Sequence, residues 1–294
     1  MNMSVSDIQT FFYTSTRSEN DATNKIREKC LLSLCEPPKA YLEHPDYGRN
    51  WAHVSPAWND ILKKLADTTG ITDYQSIQIK LKGGRKFNYD AEVMYKGSNT
   101  IIRHIDFKNG ETSIAKIPQI LSLQAKFDLF TETYDKFWYE HYLDKYIGCD
   151  DGIALSKPPL PLYLKRVTRV KCKGSPFFEK LSEREFFFQN EKNDVVNASI
   201  TDYLTRYGHT INLPLLTEKI RSTQNGKYYI LWNEGAFHMD WLHEEEMGQL
   251  TYLTIKNGNV IQVKSGNTIY NLLLRWRNHK GILNPAWQIS MNRL

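Results

Sequence analysis

The 294-residue chain has little cysteine: four residues, Cys30, Cys35, Cys149 and Cys172. Only the first two stand close together, and their spacing fits neither a disulfide framework nor a zinc knuckle, so reduced and mostly buried thiols are expected. Glycine, at 16, and proline, at 11, are too sparse for a collagen-like or low-complexity chain. Long apolar runs are missing as well. No stretch approaches the ~18 consecutive apolar residues of a spanning helix. The opening MNMSVSDIQTFFYTSTRSEND lacks a basic-then-apolar signal layout. An intracellular protein with no membrane partner is the expectation. What remains, 41% hydrophobic, 13% aromatic and 24% charged, describes a globular chain with room for one large domain or two modest ones.

Acidic side chains are absent from one region. From Met247 to Leu294 the sequence holds Lys256, Lys264, Arg275, Arg277, Lys280 and Arg293 and no Asp or Glu. This tail carries +6 against +5 for the whole chain, so the residues before it sum to −1. Basic charge so localised points to an anionic partner.

Apolar spacing predicts helices over Ala22–Leu34 and Trp58–Leu65, with an ordered Pro- and aromatic-rich loop between them. Strands are expected at Ser76–Lys82, Tyr89–Tyr95 and Thr100–Phe107, separated by GGRK and KGSN turns. A long helix is expected from about Pro118 to Tyr146, with proline at its start. The proline-marked break SKPPLPL then opens a second half. There, strands are expected at Tyr163–Lys173, Tyr228–Trp232, Leu250–Lys256 and Asn259–Lys264, and a helix at Thr268–Trp276 capped by Asn267.

The segment FNYDAEVMYKGSNTIIRHIDFKNG carries the most chemistry. A hairpin turning at Ser98 sets Asp90 opposite Asp106 and Glu92 opposite His104, with Lys108 on the same face. Ala91, Val93 and Tyr95 then join Ile101, Ile105 and Phe107 on an apolar face interrupted only by Arg103. A one-residue slip would mix the faces, so the pattern selects its register. Two aspartates facing each other across a sheet repel, and a cation between them would relieve this. Sparse hard oxygens beside a lysine suit Mg²⁺, with Mn²⁺ as a substitute; such an ion neutralises charge building up at phosphorus. Lys108 would hold or deprotonate the attacking water, or sit against the scissile phosphate.

This run of strand, YD, hairpin, DFK and helix resembles the PD-(D/E)XK nuclease superfamily, the restriction-endonuclease-like enzymes, whose motif is an Asp opening one strand and an acid-x-Lys on the next. The resemblance spans about residues 20 to 146 in order of elements and three residues in strict motif terms. It implies Asp90 as the metal-binding Asp, Asp106 as the second acid and Lys108 as the motif lysine, with Tyr89 in place of the usual proline. It also nominates Glu28 as an acid from the first helix, and Gln119 or Gln124 as polar residues of the following one.

Other signals are weaker. HMDWLHEEE brings His238, Asp240 and His243 close without an established zinc spacing, so a solvated turn or helix start accounts for it. GGRK, at 83–86, is too short for a Walker loop and is a turn with two basic residues. Arg169, Lys171 and Lys173 on one strand face, and Arg275, Arg277 and Lys280 around a helix end with Trp276, are candidate nucleic-acid contacts; solvated charged faces are the alternative.

The expected fold is α/β: a restriction-endonuclease-like core, residues 1–155, with a central mixed sheet flanked by helices, followed by a C-terminal α+β extension, 156–294, that engages duplex DNA. The expected activity is Mg²⁺-dependent, sequence-specific cleavage of DNA phosphodiesters in the manner of a type II restriction enzyme, acting as a homodimer to cut both strands. A repair, recombination or RNA-processing nuclease of the same fold, and a catalytically silent nucleic-acid-binding protein, are the alternatives.

Overall fold

A computed structural model describes residues 45–82, 88–98, 100–149, 155–169, 171–183, 189–234 and 236–294. The expected helix at Ala22–Leu34, Glu28, Cys30, Cys35 and the GGRK segment lie outside these residues. The protein is mixed α/β with two five-stranded sheets, and among the described residues no helix is long and apolar enough to cross a membrane. Two compact units form, one from residues 1–117 and 223–243, the other from 118–222 and 244–294. The boundary expected at 155/156 divides the chain once, whereas each compact unit draws on two stretches of it.

The first unit starts its described part with helix α1, Pro45–Thr69. Trp58, Ile61, Leu62, Leu65 and Ala66 are buried; their spacing makes one apolar stripe of a 3.6-residue helix. Strands β1 (Ile77–Leu81), β2 (Ala91–Tyr95), β3 (Ile101–Asn109), β5 (Lys227–Asn233) and β6 (Ala236–Asp240) form a sheet in the order β1-β2-β3-β5-β6. Only the β3–β5 pair is parallel. The apolar stripe of α1 packs with Ile77, Ile79, Ala91, Val93, Ile105, Phe107, Tyr228, Ile230, Trp232 and Phe237 in one core. Alternation sends the intervening residues to the other face, where Glu92, His104, Asp106, Lys108 and Lys227 stand.

The β2–β3 register is Ala91↔Ile105, Glu92↔His104 and Val93↔Arg103, as the sequence pattern requires. It shifts between Val93 and Met94, where a bulge intervenes before Met94↔Ile101. Beyond the bulge the apolar face ends: Tyr95 and Ile101 are exposed.

In the second unit, β4 (Leu121–Gln124), β10 (Leu283–Arg293), β9 (Thr268–Asn278), β8 (Val260–Ser265) and β7 (Thr251–Lys256) form an antiparallel sheet in the order β4-β10-β9-β8-β7. Helices α2 (Tyr134–His141), α3 (Leu143–Gly148), α4 (Leu160–Val167), α5 (Pro176–Glu183), α6 (Gln189–Tyr207) and α7 (Leu213–Gln224) complete the helical part. Trp276 and Trp287 on the inner face of the sheet meet Tyr134, Phe130 and Tyr203 at ring-centroid distances of 4.9 to 6.4 Å, which builds an aromatic core.

Three expectations are corrected here. The helix expected over 118–146 is instead β4 followed by α2 and α3, because Leu121–Gln124 pairs with β10. The strand expected at Tyr163–Lys173 is α4 and a following turn region, so Arg169, Lys171 and Lys173 share no strand face; all three are exposed. Pro159 and Pro161, at the helix start, were the available signal. The helix expected at Thr268–Trp276 is β9, paired on both sides. Arg275 and Arg277 therefore lie on one exposed strand face, and Lys280 in the β9–β10 turn.

Candidate functional site

The polar face of the first sheet is built by β2, β3 and β5. Asp90 stands immediately before β2. Its backbone N–H donates to the Ile105 carbonyl at 2.8 Å, and its Oδ2 accepts from the Phe107 N–H at 2.8 Å. The carboxylate is thereby fixed against the peptide that follows Asp106.

Asp106 lies mid-strand on β3 and is 8% exposed. Its Oδ1 is ion-paired with Lys108 Nζ, and its Oδ2 with Lys227 Nζ at 2.6 Å. Burial opposes ionisation of this carboxyl, but the two ammonium groups outweigh it and hold the pKa down at about 2. Asp106 is a carboxylate across the physiological range.

Lys227, the residue that sequence reasoning missed, opens β5 opposite His104 in the parallel pairing. Its side chain is 2% exposed. Nζ also donates to the Asn88 carbonyl at 2.6 Å and lies 4.9 Å from the Tyr229 ring centroid. Burial pushes its pKa down, against the pull of Asp106, while Lys108 adds repulsion. The signal was a lysine at the head of a strand, KYYILWN, whose first six residues are all buried. A charge in such a strand needs a counter-ion.

Beside this group, Glu92 accepts from Tyr89 Oη at 2.9 Å and pairs with Lys82 Nζ at 3.1 Å. Burial opposes its ionisation, yet the hydrogen bonds from Lys82 and Tyr89 carry its pKa below the ordinary value. Tyr89 stacks on His104 at 4.0 Å. Burial lowers the His104 pKa in spite of Glu92, and Lys227 lowers it further, which favours the neutral imidazole.

No family model matches the chain, and neither does any curated protein or solved structure. The site is therefore read from its own chemistry. Among the described residues no cluster of three or more His, Cys, Asp or Glu able to hold a metal ion occurs. Two carboxylates do meet the smaller demand of Mg²⁺, which binds one or two protein carboxylates and fills its shell with water and phosphate oxygens. Asp90 and Asp106 supply hard oxygens only.

Of the other predicted residues, Glu28 lies outside the described residues, and Gln119, Gln124, Arg169, Lys171, Lys173, Arg275, Arg277 and Lys280 belong to the second unit. His238 and Asp240 lie on β6, where Asp240 Oδ2 accepts from Ser113 Oγ and the Ile114 N–H, both at 3.0 Å. This ties down a loop, and the HMD segment is strand rather than the turn or helix start expected, because it pairs with β5. Gln124 pairs with Ala286 at the edge of the second sheet.

Proposed function

We propose that the chain is a Mg²⁺-dependent endonuclease of the restriction-like type, hydrolysing phosphodiester bonds of DNA. The observation that supports this reading is that Asp106 and Lys108 share one sheet face while the Asp90 carboxylate accepts from the Phe107 N–H between them. Asp90 precedes one strand, and Asp106-Phe107-Lys108 runs along the next, within a mixed sheet backed by a helix. This is the pattern that the resemblance to the PD-(D/E)XK superfamily requires.

In this reading Asp90 and Asp106 hold the ion. A bound Mg²⁺ supplies neutralisation of the charge that develops at phosphorus and acidifies a water molecule at the site. Phe107, through its N–H, holds the Asp90 carboxylate beside the peptide that follows Asp106. Lys227 keeps Asp106 ionised from within the sheet. Lys108, whose side chain is 33% exposed, is the cation able to leave Asp106 and meet a non-bridging phosphate oxygen or the attacking water. Cutting both strands would call for two copies of the chain.

The test is digestion of plasmid and viral DNA with Mg²⁺ by the wild type, Asp90→Ala and Asp106→Ala, with the ends sequenced. Discrete fragments from the wild type and none from either variant are expected. Wild-type rates in either variant overturn the assignment, and a lack of magnesium-dependent cleavage by the wild type overturns the activity.

A second reading rests on the double pairing of Asp106 with Lys108 and Lys227. A carboxylate neutralised by two lysines can serve as a buried structural ion pair in a protein that binds nucleic acid without cutting it. Calorimetric titration of the wild type with Mg²⁺ separates the two: binding abolished by Asp90→Ala belongs to the nuclease, and no binding to the structural pair.

A further inference from the structure

Asn88, Tyr89 and Asp90 form a bend that leads into β2, and each is held by groups from elsewhere in the first unit. The Asn88 carbonyl accepts from Lys227 Nζ at 2.6 Å, and its Nδ2 donates to the Thr223 carbonyl at 3.1 Å. The Asp90 carbonyl accepts from the Lys82 N–H at 2.8 Å, while its own N–H reaches Ile105. Tyr89 is held through its side chain. The ring lies flat on His104, with 4.0 Å between centroids and 15° between planes, and Oη donates to Glu92 Oε1 at 2.9 Å. Both anchors are fixed in turn: Glu92 is buried, pairs with Lys82 Nζ at 3.1 Å, and stands opposite His104 in the β2–β3 register.

We infer that Tyr89 is a positioning residue: clamped between His104 and Glu92, it fixes the bend so that the Asp90 carboxylate is held ready for a divalent ion. The ion rests on the nuclease reading; the holding of Asp90 by Tyr89 does not. A strand that continued backward from β2 would meet the Phe107 N–H with a backbone carbonyl. Here the Asp90 carboxylate takes that N–H at 2.8 Å, and the Asn88 carbonyl is turned to Lys227 instead. The chain has left the ladder, so other contacts must keep it in place, against the entropy of a short free segment. The Tyr89–Glu92 hydrogen bond spans Asp90 and closes a small ring around it, and stacking on His104 fastens that ring to β3. Groups that orient a ligating carboxylate without touching the metal set its affinity strongly.

The experiment compares the full-length wild type with Tyr89→Leu, which removes ring and hydroxyl, and Tyr89→Phe, which keeps the ring on His104. In calorimetric titration with Mg²⁺, Tyr89→Leu should weaken binding by about 10–100-fold, the range for a partner that orients a metal ligand. Tyr89→Phe should recover all but about threefold, the worth of one net hydrogen bond. Hydrogen exchange in EDTA gives a readout that needs no metal: the Phe107 amide should exchange about tenfold faster in Tyr89→Leu than in the wild type, while the other β3 amides keep their rates. Phe107 exchange and Mg²⁺ affinity both unchanged in Tyr89→Leu overturn the positioning role. So does a lowered urea midpoint with protection lost evenly along β3, which would make Tyr89 a general stabiliser. Magnesium-dependent cleavage by the wild type with unchanged Phe107 exchange in Tyr89→Leu removes the positioning role and keeps the nuclease. A wild type that neither binds Mg²⁺ nor cuts DNA, with faster Phe107 exchange in Tyr89→Leu, removes the nuclease and keeps Tyr89 as the residue that holds Asp90.

Discussion

The two sheets carry their charge in opposite ways. On the first, acids and bases are buried together: Asp106 and Lys227 are nearly inaccessible and satisfy each other across a parallel strand pair. On the second, the outer face carries basic side chains in contact with water, with Arg275 donating to the Gln288 amide and Arg277 to the Ser122 hydroxyl. Buried opposite charges are tied to folding, since neither can be removed without stranding the other. Exposed like charges contribute little to folding and leave their field available to a ligand. Substitutions at the buried Asp106–Lys227 pair should therefore disturb stability and chemistry together. Those at the exposed charges of the second sheet should leave stability nearly unchanged.

The largest expected effect is at Asp106. Asp106→Ala leaves the Lys227 ammonium buried without its ion-pair partner and should destabilise the protein by about 3–5 kcal/mol in urea denaturation. Adding Lys227→Met should recover most of that loss without restoring cleavage. A single variant as stable as the wild type would break the contrast between the sheets at its strongest point.

Next is Lys108, more exposed than its neighbours. Lys108→Ala should lower single-turnover cleavage on the order of 10²-fold, while the urea midpoint moves little. Weak DNA binding with normal saturated turnover would assign Lys108 to docking instead.

The pH dependence sharpens the comparison further. The Asp106 carboxyl is held at about 2, below its ordinary 3.8, so its ion pairs stabilise the fold above about pH 4. They are lost as the pH falls toward 2, at a cost of about 2 kcal/mol. The difference in stability between the wild type and the Asp106→Ala, Lys227→Met double variant should shrink over this window. A constant difference would show that the pair is not what titrates.

The smallest effect is expected on the second sheet, where Arg275→Ala should change unfolding free energy by less than about 0.5 kcal/mol. A larger loss would mean that the Arg275–Gln288 contact holds the sheet together.

The hairpin of the first sheet was legible in its residues because its information is local. Ala91, Val93, Ile105 and Phe107 alternate with Glu92, His104, Asp106 and Lys108, and only one register keeps the two sets apart. The α1 stripe and the turn at Asn257–Gly258, where both residues have positive φ, were readable for the same reason. Segments that satisfy two periods at once were not. In TIYNLLLRWRN, Ile269, Leu272, Leu273 and Trp276 fit a helix while Tyr270, Leu272, Leu274 and Trp276 fit a strand, and pairing with β8 and β10 decides it. Likewise Leu121–Gln124 became a strand only because β10 offered it an edge.

By itself, then, the sequence determined the facing of the β2–β3 hairpin and the basic bias of the final strands, since both follow from side-chain order along a few residues. Only the tertiary structure could decide that Lys227 completes the Asp106 site, because parallel pairing joins strands far apart in the chain. It also turned a presumed basic helix end into an exposed sheet face. Long-range hydrogen bonding between strands chooses among local conformations of similar energy, and a single segment carries no record of its partner.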